Sequence, residues 1–191
     1  MSEIKRVGIL TASVLNGLFL LIMLLALAIV QTTAMVLQYG FGEIPCPLCL
    51  LQRFAIFGCC FGLMKQLHSD SESGTGISLI FSILLLVISA RQTLLDIVPR
   101  PGHEFVGSAI FGIHMPVWSI FIALGLLIGL AVRLMLFGGL RSAPVVESHL
   151  IHRSAQGLAI YVVFICAVNF LSVIVQCGMD QCHTSEYRLL H

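Results

Sequence analysis

The sequence predicts an all-α integral membrane protein, a single domain spanning residues 1–191 and built as a bundle of transmembrane helices. Three observations carry that prediction. Hydrophobic residues make up 58% of the 191-residue chain and charged residues only 10%, with a mean hydropathy of +1.03, a balance that a soluble domain of this size could not hide from water. The apolar residues gather into five runs, at about 7–37, 50–67, 77–98, 115–137 and 158–175, each close to or above the roughly 20 residues that cross a bilayer. Between the runs lie short stretches rich in Gly, Pro, Ser and charge, with no interdomain linker and no solenoid repeat. A net charge of +1 with scattered basic residues leaves no footprint for nucleic acid, so membrane lipid is the expected surroundings.

Each element has its own justification. Lys5 and Arg6 precede the first run, which is far longer than the ~7–15 apolar residues of a signal peptide and therefore reads as a retained span. Asn16 and Gln31 inside it are expected to bond across helices. Gly40, Gly42 and Pro45 break the chain before the second run, which Lys65 and His68 close. Ser69 to Gly76 reads as a polar turn, and Ile77 to Val98 as the third span. Pro99 to Ile113 is a loop carrying Arg100, His103 and Glu104. Pro116 and Trp118 open the fourth span, where an interfacial tryptophan is expected. Gly138 to Gln156 is polar, the fifth span follows, and residues 176–191 form a tail.

Basic residues orient the chain. Lys5, Arg6, Lys65, Arg133, Arg141 and Arg153 fall on one side, which the positive-inside rule makes cytoplasmic. The N-terminus is then cytoplasmic and the C-terminus lies outside. Cys46 and Cys49 fall at the outer end of the second span, and Cys177 and Cys182 just past the outer end of the fifth. Cys59, Cys60 and Cys166 fall mid-span and read as small packing residues. An odd number of spans therefore puts two cysteine pairs on one face.

The organising stretch is Pro45-Cys46-Pro47-Leu48-Cys49-Leu50-Leu51-Gln52-Arg53. Two thiols at Cys-x-x-Cys spacing close a tight disulfide ring or supply half of a metal site. With Ser89-Ala90-Arg91-Gln92 in the third span and Phe111 to Trp118 leading into the fourth, the chain resembles the DsbB family from roughly Leu10 to Phe137. That family comprises quinone-reducing disulfide oxidases of the bacterial inner membrane. The resemblance implies a four-helix bundle with the Cys-x-x-Cys at the start of its second helix and an arginine four residues on, here Cys46, Cys49 and Arg53. The chain departs from it twice. The loop between the third and fourth spans has no cysteine, where the family carries its second catalytic pair, and a fifth span is added. We read that span as delivering a substitute pair, Cys177 and Cys182, to the outer face; the alternative is a tail pair that only clips the structure.

The implied chemistry is thiol–disulfide exchange ending in quinone, either ubiquinone or menaquinone. Electrons run from a DsbA-like thioredoxin-fold partner in the periplasm to Cys177 and Cys182, then to Cys46 and Cys49, then to the quinone pool. Cys49 is expected to face the quinone, because the helix start and Arg53 one turn on both favour its thiolate. Arg53 is expected to bond a quinone carbonyl. Arg91 either joins that site or pairs with Asp96. His183 beside Cys182 either tunes its thiol or is tail composition. A four-sulfur zinc site would leave Arg53 unexplained, so no metal is expected. The non-enzymatic alternative is a structural or quinone-binding subunit whose tail disulfide is permanent.

Overall fold

All five apolar runs are helices. The computed structural model describes residues 2–43, 45–69, 72–98, 109–110, 112–138 and 149–178. The helices are α1 (Ser2–Gly40), α2 (Pro47–His68), α3 (Ser73–Ile97), α4 (Met115–Phe137) and α5 (His149–Cys177). Each contains a stretch long and apolar enough to cross a membrane. Between α3 and α4 stand two short antiparallel strands, β1 (Ala109–Ile110) and β2 (Ile113–His114), paired Ala109 to His114 and Ile110 to Ile113. Gly112 turns the hairpin at φ 75°, a conformation that L side chains rarely adopt.

Four helices run beyond their predicted bounds, α1 at both ends and α2, α3 and α5 at their starts for local reasons. α2 starts at Pro47, because proline fits the first helical position and Cys46 caps the turn. α3 starts at Ser73, so the last four residues of the stretch read as a polar turn, 73–76, are already helical. There Gly74 lies against α2, and the Thr75 N–H and hydroxyl donate to Gln66 Oε1 at 3.2 and 3.1 Å. α5 starts at His149, well before Leu158, the helix extending through polar residues such as Arg153 and Gln156.

Small residues set the closest helix pair. A Cβ at Gly62 would lie 2.6 Å from the Gly74 carbonyl oxygen, so α2 and α3 approach backbone to backbone. Phe81 fills the space over Gly58. α3 also packs on α4, and α5 lies mainly against α1 and α2. The core between them is Leu20, Leu24, Ala55, Leu63, Leu85 and Leu130, with Cys59 and Cys60 among them as packing residues. The outward faces carry Ile22, Ile80, Ile128 and Phe164, side chains suited to lipid.

A polar knot ties the end of the bundle remote from Cys46. Arg133 of α4 is 1% exposed, although the sequence counts it among the basic residues of the inner side. Its guanidinium pairs with both carboxylate oxygens of Glu72 and donates to Asn16 Oδ1 of α1 at 3.0 Å and to Thr75 Oγ1 of α3. A buried charge survives because its donors are used on partners from other helices.

Candidate thiol and acceptor site

At the opposite end, the start of α2 organises the site. Cys46 is the N-cap, and its Sγ accepts the Cys49 N–H at 3.1 Å. Both thiols are free, and both stand where the backbone N–H groups of a helix start favour negative charge. Cys46 is buried, 8% exposed. Its thiol is held above the ordinary range, first by the hydrogen bond to the Cys49 side chain and then by burial. Gln92 of α3 donates from Nε2 to both sulfurs, 3.4 Å from each. Gln92 is held in turn by Gln52, whose Nε2 donates to Gln92 Oε1 at 3.0 Å and to Ser89 Oγ at 3.2 Å. Ser119 of α4 donates to Gln52 Oε1 at 3.3 Å. Three helices thus build one chain of bonds behind the thiol pair.

Cys49 and Arg53 line a cavity of about 260 Å³ between α1, α2 and α4. Helical spacing explains their company: residues i, i+3, i+4 and i+7 share a face, and Cys49, Gln52, Arg53 and Ile56 all reach this wall. Trp118 and Met115 of α4 close the far side. On α1 the wall includes Ile29, which is 58% exposed, so the cavity meets the outer surface of the bundle. Gln31 also lines it, 1% exposed, with its Nε2 donating to the Arg53 carbonyl at 3.0 Å. Its Oε1 has no hydrogen-bond partner among the described residues.

The guanidinium of Arg53 is held from two helices. It donates to Gln38 Oε1 and the Ala34 carbonyl on α1, and to Asn169 Oδ1 on α5. α5 also carries Cys177 to this end, buried and disulfide-bonded. The residue before it, Gln176, donates from Nε2 to the Pro45 carbonyl at 2.8 Å, beside Cys46. Cys182 and His183 lie outside the described residues, as do Arg100, His103 and Arg141. Arg91 is not brought to the cavity. It is exposed, while its neighbour Gln92 turns inward to the thiols. Among the described residues no group of three His, Cys, Asp or Glu side chains could hold a metal.

Sequence reasoning assigned no role to Gln92, Gln38, Asn169 or Ser172. Their signal was present as polar residues inside apolar runs, which in a membrane turn toward partners.

The sequence model of the family "Disulfide bond formation protein DsbB" matches residues 16–104, which hold α2, Cys46, Cys49, Arg53 and Gln92. Two curated relatives are named "Disulfide bond formation protein B". One, from Chromohalobacter salexigens, is 29% identical over 110 residues, covering 51% of this chain and 61% of the relative. The other, from Chromobacterium violaceum, is 29% identical over 99 residues, covering 46% of this chain and 57% of the relative. The chain is therefore similar to the DsbB family over residues 16–104, just under half of its length. It spans about three-fifths of the length of these curated relatives. No solved structure matches it. The DsbB match stops short of the Met115 to Trp118 segment that the sequence reading included, so α4 and α5 lie beyond it.

Proposed function

We propose that the protein is a membrane thiol:quinone oxidoreductase of the bacterial inner membrane that makes disulfides de novo. One observation carries the reading: the Cys49 thiol and Arg53 line the same cavity, which reaches the bundle's surface within a membrane span. A lipid-soluble acceptor can enter there from the side.

The cavity fits a quinone on three counts. Its walls are mostly apolar side chains. Arg53 brings N–H donors suited to a ring carbonyl. Gln31 Oε1, buried without a partner among the described residues, is an acceptor suited to a ring hydroxyl. Oxidising the Cys46–Cys49 dithiol forms one S–S bond and releases two electrons and two protons, and a bound quinone supplies the acceptor for both. Arg53 would hold the acceptor's carbonyl end and offset negative charge there, and Gln31 Oε1 would accept a hydrogen bond from its hydroxyl. Gln92 holds both sulfurs in the reduced pair.

Upstream, Cys177 and Cys182 receive electrons from a reduced DsbA-like thioredoxin-fold partner. Each transfer is an exchange in which one dithiol becomes a disulfide and one disulfide becomes a dithiol. The Gln176 bond to Pro45 supports this relay, because it sets the residue before Cys177 against the residue before Cys46. In this reading the N-terminus is cytoplasmic, and the tail and both cysteine pairs are periplasmic.

The test is quinone reduction by purified protein with a reduced thioredoxin-fold donor. Wild type should turn over, Cys49→Ser should not, and Cys177→Ser and Cys182→Ser should lose donor-dependent turnover. Tail variants at full rate would remove the relay and leave the Cys46–Cys49 pair meeting the donor directly. A wild type that reduces no quinone with any donor would sink the enzyme reading and favour a structural subunit.

A further inference from the structure

α5, one of the two helices that lie beyond the DsbB match, is bonded to the side chains that form the acceptor site. Asn169, Ser172 and Gln176 of α5 stand three and four residues apart, the spacing of one helix face. All three are buried inside a membrane-spanning helix, at 5%, 4% and 1% exposure. Each bonds to a part of the site. Asn169 Oδ1 accepts from Arg53 Nη1 at 3.2 Å. Ser172 Oγ accepts from Gln38 Nε2 at 2.7 Å, and Gln38 Oε1 accepts from the same Arg53 Nη1. Gln176 holds the Pro45 carbonyl. Asn169 is itself anchored, its Nδ2 donating to the Ile165 carbonyl at 3.0 Å, which points Oδ1 at the guanidinium.

A polar ridge of this kind is not needed for helix association, since small or apolar residues pack helices in a bilayer without the cost of burying amides. We infer that α5 braces the acceptor site from behind its lining, with Asn169 and Ser172 as positioning residues that fix the Arg53 guanidinium for the carbonyl oxygen of a quinone. This rests on the quinone reading proposed above. An arginine side chain is long and rich in rotamers, and aiming it at a small carbonyl requires that its rotation be stopped. Asn169 does that directly, and Ser172 does it through Gln38. Since Cys177 closes the same helix, the part of the chain that orients the acceptor's cation also carries the tail disulfide.

The chain carries its own probe. Trp118 is the single tryptophan, and it lines the cavity. Quenching of its fluorescence by a short-chain quinone, titrated on the full-length protein in detergent, reads binding without any turnover. Asn169→Ala should weaken the quinone about tenfold, a loss of about 1.4 kcal/mol. Ser172→Ala should weaken it about threefold, and Ser172→Thr, which keeps the hydroxyl, should restore wild-type binding. Thermal unfolding accompanies each variant. A folded Asn169→Ala that binds quinone as wild type does would overturn the role of α5 and leave the quinone site standing. If Asn169→Ala does not fold, the Ser172→Ala and Ser172→Thr pair decides, and equal binding by the two overturns the inference. No saturable quenching of wild type would overturn the quinone reading and this inference with it.

Discussion

Replacing Gln92 with leucine removes the donor to both sulfurs of the Cys46–Cys49 pair while keeping a side chain of similar size. The effect should appear as a change in the reduction potential of the Cys46–Cys49 couple. In the reduced state Gln92 Nε2 lies 3.4 Å from each sulfur, and one of those sulfurs carries charge when the pair ionises. A hydrogen bond to a charged group contributes about 1.5–3 kcal/mol, and sulfur at this distance belongs at the lower end. In the disulfide no sulfur carries charge, so the same N–H groups gain less. The bonds therefore stabilise the reduced pair and make the couple more oxidising. Losing about 1.5–3 kcal/mol from the reduced side lowers the potential by about 30–60 mV. Gln52 also loses an acceptor, but it keeps Ser89 Oγ, and that loss falls on both redox states and cancels. The assay equilibrates the protein with graded ratios of reduced and oxidised dithiothreitol, in a Cys177→Ser, Cys182→Ser background. Free thiols are then trapped and counted by mass. A Gln92→Leu potential at or above the parent value would refute the argument, since it would mean that the Gln92 contacts do not favour the reduced state.

Other outcomes follow from particular contacts. Glu72→Ala strands the buried Arg133 cation, and although Glu72 itself is 41% exposed the variant should lose about 3 kcal/mol of stability. Thermal unfolding in detergent reads this, and a shift too small to resolve would show that Asn16 and Thr75 suffice for the charge. Gly62→Ala places a methyl against the Gly74 carbonyl and should cost about 1–3 kcal/mol by pushing α2 off α3; a variant as stable as the parent would mean that the pair can separate freely. The Cys46 thiol is raised chiefly by the Cys49 side chain, so below its folded value it stays protonated and slow to alkylate. Cys49→Ala removes that cause and lowers the value. Alkylation of Cys46 at pH 8 should therefore speed up in the variant, and an unchanged rate would count against Cys49 as the cause.

Much of this site was legible because it is local. Five apolar runs require five helices once water is excluded from the backbone. Pro47 after Cys46 signals a helix start, and the spacing of Cys49 and Arg53 puts them on one face of any α-helix. Those facts depend only on the 3.6-residue period, and they bring a thiol and a cation to the same wall. What faces them was decided by tertiary packing. Arg91 and Gln92 are neighbours in sequence and about 100° apart around the helix. Only the packing of α3 on α2 and α4 turns Gln92 to the sulfurs and Arg91 away from them. Arg133 counts in the sequence only as a basic residue of the inner side, until Asn16 of α1 and Glu72 and Thr75 at the start of α3 close around it. Asn169 and Ser172 lie more than a hundred residues from Arg53 and Gln38, and no periodicity within one helix can pair them. The sequence by itself determined the number of spans, the helix start that holds the thiols, and the arginine beside them. The rotation of each helix about its own axis determined which amides and hydroxyls close around them, because that rotation is set by side chains on other helices.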